Sequence, residues 1–103
     1  MKEYLDKKID TWFHERGIIE HGKPMGQAIK TLEETTELID ALNRGDELDI
    51  KDAIGDIYVT LRGVCLTSDL FLDECIAIAY DVIKDRKGYL RDDGVFVKEG
   101  DDD

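Results

Sequence analysis

The segment "IKDAIGDIYVTLRGVCLT", Ile50 to Thr67, limits the fold more than any other part of the chain. Wound as a helix, it places Ile50, Ala53, Ile54, Ile57, Leu61, Val64 and Cys65 on one broad apolar face. A second row begins with Asp52 and Asp56 and continues through Val59 and Gly63, with Leu66 close by. A helix apolar on two sides belongs in an interior. An ionised carboxylate there is costly unless it is paired, hydrogen-bonded or bound to a cation. Asp56 therefore asks for a function that an ordinary solvated acid does not need.

Its neighbours fix the fold class. The chain has one proline, Pro24, and its apolar residues recur mostly at helical spacing. Helices are expected over residues 2–16, 25–43, 49–67 and 72–87. Gly45 stops the second, and the residues "TSDLF" separate the last two. "GIIEHGKP" reads as a loop leading into Pro24. "YLRDDGVFV" alternates about Asp93-Gly94 and predicts a tight turn or hairpin. The expectation is a single all-α domain over residues 1–103, a four-helix antiparallel bundle with a short C-terminal hairpin and a frayed tail at 99–103. A chain this short gains from self-association, because a small domain buries a modest share of its surface.

The second helix carries the other half of the chemistry. Along this helix, which contains "KTLEETTELID", Met25, Ala28, Ile29, Leu32, Thr36 and Ile39 share one side. Gln27, Lys30, Glu34 and Glu37 run along roughly the opposite side, flanked by Glu33 and Asp40. Alone this is an amphipathic helix with a wet acidic face. Opposite Asp52 and Asp56 of an antiparallel neighbour, Glu34 and Glu37 would complete a cluster of hard oxygen ligands. Such a cluster repels itself without a cation and suits Mg²⁺, with Mn²⁺ as a substitute. Zinc fits poorly: His14 and His21 sit in no HExxH or Cys/His pattern.

Charge narrows the partners. A net charge of −11 disfavours nonspecific nucleic-acid binding, which needs a cationic footprint. Lys84, Arg86, Lys87 and Arg91, with Lys98 beyond, nevertheless cluster around the end of the fourth helix. Two readings stand for them: cations favourably placed near a helix C-terminus, or a clamp for phosphates. "HGKPMG" lacks P-loop spacing. "DELDIKDAIGD" places Leu48 and Ile50 where calcium ligands would be required. Cys65 and Cys75 lie in apolar helical patterns and read as reduced thiols of a cytoplasmic protein. No segment is apolar enough to span a membrane, and no Ser/His/Asp or Cys/His nucleophile set is present.

Taken together, "QAIKTLEETTELIDAL", "IKDAIGDIYVTL", "AYDVIKDRKG" and "DGVFVKEG" resemble the MazG-like nucleotide pyrophosphohydrolases of the all-alpha NTP pyrophosphatase superfamily. The likeness covers roughly residues 25–100 and is nearest the small single-domain members common in bacteriophages. The resemblance implies Mg²⁺-dependent hydrolysis of a (deoxy)nucleoside triphosphate to the monophosphate and pyrophosphate, in a cytoplasmic homodimer or homotetramer. It makes Glu33, Glu34 and Glu37 the EExxE motif, with Glu34 and Glu37 as metal ligands and Glu33 or Glu34 activating water. The family's second motif, ExxD, aligns its Asp with Asp56 and its Glu with Ala53. Asp52, one residue earlier, stays on the same face and stands in. Asp81 resembles a further acidic or amide position near the metals. Lys84, Arg86, Lys87 and Arg91 resemble phosphate-contacting cations, and Gln27 and Lys30 resemble residues bordering the nucleotide. Two rival expectations remain: a noncatalytic acidic module of the DNA-mimic type, and a related pyrophosphohydrolase acting on another nucleotide such as phosphoribosyl-ATP.

Overall fold

Pro24, Gly45 and Asp46 do in three dimensions what their residue types dictate. The computed structural model describes residues 1–100. Its helices are α1 (Lys2–Glu15), α2 (Ile18–His21), α3 (Pro24–Arg44), α4 (Glu47–Ser68) and α5 (Leu72–Ile83). Strands β1 (Gly88–Leu90) and β2 (Phe96–Lys98) form an antiparallel hairpin. The described chain is thus mostly helical, with one small hairpin near its C-terminus. It divides into two compact units, Met1–Leu72 and a second starting at Asp73. Among the described residues, no helix is long and apolar enough to cross a membrane.

Pro24 occupies the first turn of α3, where its missing N–H costs nothing. At the other end Gly45 takes the left-handed conformation (φ 66°). Its N–H reaches the Leu42 carbonyl, and that of Asp46 reaches Ala41 (both 3.2 Å), a Schellman closure. Asp46 then opens α4 by accepting a hydrogen bond from the Asp49 N–H at 3.1 Å. Two residues therefore finish one helix and start the next.

In the first unit α3 packs along α4 through small side chains. Ala41 and Ala53 are buried, and the Thr31 hydroxyl donates to that of Thr60 at 2.8 Å, which in turn donates to the Ile57 carbonyl. The face of α3 that periodicity marks as apolar does not form this seam. Met25, Leu32 and Ile39 are 70%, 68% and 57% exposed, as are Ile54 (54%) and Leu61 (40%) across on α4. Two helices share one seam, and these two fill it with Thr, Ala and Gly. Their broader apolar rows are left facing outward.

Helix α1 is held against α4 by polar contacts. Arg62 forks onto Asp10 (2.6 and 2.7 Å to its two oxygens), and the Tyr58 hydroxyl donates to Asp6 at 2.6 Å. Beside them Phe13 is only 2% exposed. The short α2 lies inside the stretch expected to be loop; a single turn between Gly17 and Gly22 is too brief to show a period.

In the second unit α5 stops at Ile83, four residues short of expectation, because only charged residues and a glycine follow. The hairpin pairs Tyr89 with Val97 and Leu90 with Phe96. Gly94 (φ 87°) supplies the reversal expected of Asp93-Gly94, and the Asp93 carboxylate accepts from the Val95 N–H. Of the expected frayed tail, Glu99 is tied by its N–H to the Lys87 carbonyl at 2.7 Å, and residues 101–103 lie outside the described residues.

Candidate metal centre

The antiparallel packing of α3 on α4 brings Glu34 and Glu37, one turn apart, against Asp56. One ligand oxygen from each lies within 4.8 Å of the others. Glu34 and Asp56 are half-buried and Glu37 is exposed. One Glu34 oxygen, Oε2, is shut off from solvent and has no hydrogen-bond partner among the described residues. A sheltered oxygen with no donor, beside two more carboxylates, is a position a cation would satisfy.

The charges show the same strain. Glu37 pushes the Glu34 carboxyl up to about 7, first through a hydrogen bond that requires a shared proton. Partial burial adds to this, followed by the charges of Glu37 and Asp56. Asp56 is also raised, by burial first and then by Asp52 and Glu37. Like charges held this close take up a proton or a cation.

Of the other expected ligands, Asp52 falls outside this triad. Asp52 is exposed one turn earlier on α4. It lines an acidic cleft of about 240 Å³ with Glu37, Asp40 and Asp49. Arg44 spans that cleft, pairing with the exposed Asp40 at 3.0 Å and with Asp49 at 3.1 Å. Glu33 is exposed and pairs with Lys30 at 3.5 Å. Gln27 and Lys30 lie on the same side of α3 as Glu34 and line a cavity that Glu34 and Asp56 also border. In the second unit Asp81 pairs with Lys84 at 2.8 Å, and Arg91 pairs with Asp93. Arg86, Lys87 and Lys98 line a shallow cleft of about 350 Å³. Trp12, at the end of α1, lines the cavity beside Glu34. Cys65 is buried and Cys75 half-buried, and neither forms a disulfide among the described residues.

No protein-family model matches the chain. No solved structure matches it either. A curated protein of Haemophilus phage HP1 (strain HP1c1), described as an uncharacterized 18.2 kDa protein in the rep-hol intergenic region, is 36% identical over 59 residues. The match takes in 57% of this chain and 36% of that protein, so the chain spans about a third of the relative it matches.

Proposed function

We propose that this chain is a Mg²⁺-dependent nucleoside triphosphate pyrophosphohydrolase of the MazG-like kind its motifs resemble. The observation that carries the reading is the convergence of Glu34, Glu37 and Asp56 on one point, with a sheltered Glu34 oxygen that has no donor. The donor set fits magnesium, since all three groups are hard carboxylate oxygens. Bound there, the ion would supply positive charge against the phosphates and lower the pKa of water.

The chain's own groups divide the remaining work. Glu37 and Asp56 hold the site, with Asp52 a turn away adding negative charge. Glu34, which reaches both this point and the cavity beside it, would take the proton of a water that attacks the α-phosphorus. The α–β anhydride bond breaks, and its electrons leave with pyrophosphate. Glu33 is the weaker candidate for the proton, because Lys30 engages it on the exposed side. Lys30 sits within reach of the same end of the cavity and offers charge to a phosphate. Lys84, Arg86, Lys87 and Arg91 belong to the proposal as phosphate contacts by resemblance. The outward apolar rows of α3 and α4 support self-association into a homodimer or homotetramer.

A noncatalytic acidic module would spread its carboxylates over a surface. Here three converge and trap an unsatisfied oxygen, which favours the enzyme. The test is a pyrophosphate-release panel over ribo- and deoxynucleoside triphosphates and phosphoribosyl-ATP, with and without Mg²⁺, alongside sedimentation of the same sample. Magnesium-dependent release from at least one triphosphate by a species larger than a monomer is expected. A wild-type protein silent on the whole panel removes the reading.

A further inference from the structure

The least exposed residues of α1 are Asp6, Ile9, Asp10 and Phe13, the spacing of an inward helical stripe. Two of these four are acids, and Phe13 alone on α1 is buried. Each acid meets α4, one turn apart on both helices. The Tyr58 hydroxyl donates to Asp6 at 2.6 Å, and Arg62 donates to Asp10 through Nε at 2.9 Å and Nη2 at 2.6 Å. Arg62 also stands 3.5 Å from Asp6, to which Lys2 of α1 adds a pair at 3.1 Å. The α3–α4 seam is built from other material: Ala41, Ala53 and the Thr31–Thr60 hydroxyl pair.

The two contacts come apart differently. Parting α3 from α4 exposes apolar surface and opens a sheltered hydroxyl pair. Parting α1 from α4 returns Asp6, Asp10 and Arg62 to water, whose hydration largely offsets the lost attraction. What water does not offset is the burial of Phe13. That ring ends at Gly63, where a Cβ would stand 2.9 Å from it and 2.5 Å from Gln27 Oε1. Helix α1 is thus fastened by one aromatic ring in a glycine notch and by charges that water can replace. At its end Gly17 takes the left-handed conformation (φ 71°), and beyond it Ile18 and Ile19 of α2 are half-buried. A swing about Gly17 breaks neither helix.

We propose that α1 is a strap, hinged at Gly17, that lifts off α4 as a unit while α3 and α4 stay packed. It carries Trp12 and Phe13, which wall the cavity of about 290 Å³ bordered by Glu34 and Asp56. Lifting the strap removes that wall and opens the two carboxylates from the α1 side; closing it returns Phe13 to Gly63. Arg62 sets the balance. Without its guanidinium, Asp10 and Asp6 face a partly dry surface that offers them no cation from α4.

The test is native-state hydrogen exchange of the full chain, followed amide by amide by NMR in EDTA. Released, a helix of this length does not persist alone in water, so its amides exchange. Those from Ile9 to Glu15 should share one opening free energy, below that of α3 and α4. Arg62→Leu should speed their exchange at least ~10-fold and leave α3 and α4 protected. Tyr58→Phe, which deletes one hydrogen bond, should act in the same direction and more weakly. Three results overturn the strap: α1 exchanging only together with α3 and α4, protection that instead fades steadily toward the N-terminus, or an Arg62→Leu chain in which all three helices speed up alike. The measurement uses neither substrate nor metal, so its outcome is independent of whether the centre hydrolyses a triphosphate.

Discussion

Glu37→Gln or Asp56→Asn is expected to cut magnesium-dependent pyrophosphate release by at least ~100-fold, while helical circular dichroism is unchanged. Each change keeps the shape of the side chain and deletes one charge. The three carboxylates repel one another, and Asp56 is additionally strained by burial. Removing one of them therefore relieves the fold, and Tm should hold or rise in the absence of metal. This pairing of lost activity with undiminished stability separates a ligand from a structural residue. Asp40→Asn, which disturbs only an exposed pair with Arg44, serves as the control and should keep wild-type rates. Full activity in Glu37→Gln or Asp56→Asn would sink the enzyme as drawn. It would favour an acidic interaction surface, where no single charge matters much.

The second large effect concerns pH. The folded chain holds Glu34 at about 7 against an ordinary 4.5, so between those values it binds a proton that the unfolded chain has released. Stability must then fall as pH rises through that window and level off above it. Asp56, also raised, adds in the same sense. Asp6 and Asp93 are lowered by hydrogen bonds, led by those from Tyr58 and Arg91 respectively, so they act oppositely and at more acid pH. The clean measure is the Tm of wild type minus that of Glu34→Gln, in EDTA, at pH 5 and pH 8. After discounting for solvent around these half-exposed groups, wild type should lose ~1 kcal/mol relative to the variant, or ~5 °C in Tm. Magnesium should recover that loss at pH 8 and do little at pH 5, where protons already occupy the site. A wild-type-minus-variant difference that stays flat with pH would show that Glu34 does not feel its neighbours.

The helix limits were legible because their signals are local. Pro24, Gly45 and Asp46 act through their own backbone or the next turn, and each does so where its type demands. The helix faces were not legible in the same way. Met25, Leu32 and Ile39 form an apolar row on any wheel, yet Thr31 and Ala41 face α4. Periodicity shows which side avoids water, and it does not name the neighbour that will cover it. The triad was readable from two facts: the one-turn spacing of Glu34 and Glu37, and the discomfort of Asp56 on an apolar helix. The cavity was not, because Gly63 has meaning only once Gln27 and Phe13 are known to cross it.

The two-residue bend at Gly45-Asp46 also sets the phase of the site. Glu37 sits about two turns before the bend and Asp56 nearly three turns after it. Their meeting depends on how far α4 is rotated when it starts. With no slack between the Schellman closure and the Asp46 cap, one added residue would turn α4 by about 100° and carry Asp56 round to another side. Residue types along the outward rows can change without moving a ligand. The length of this bend cannot: the spacing of the centre is written as a residue count, in a place that contributes no atom to it.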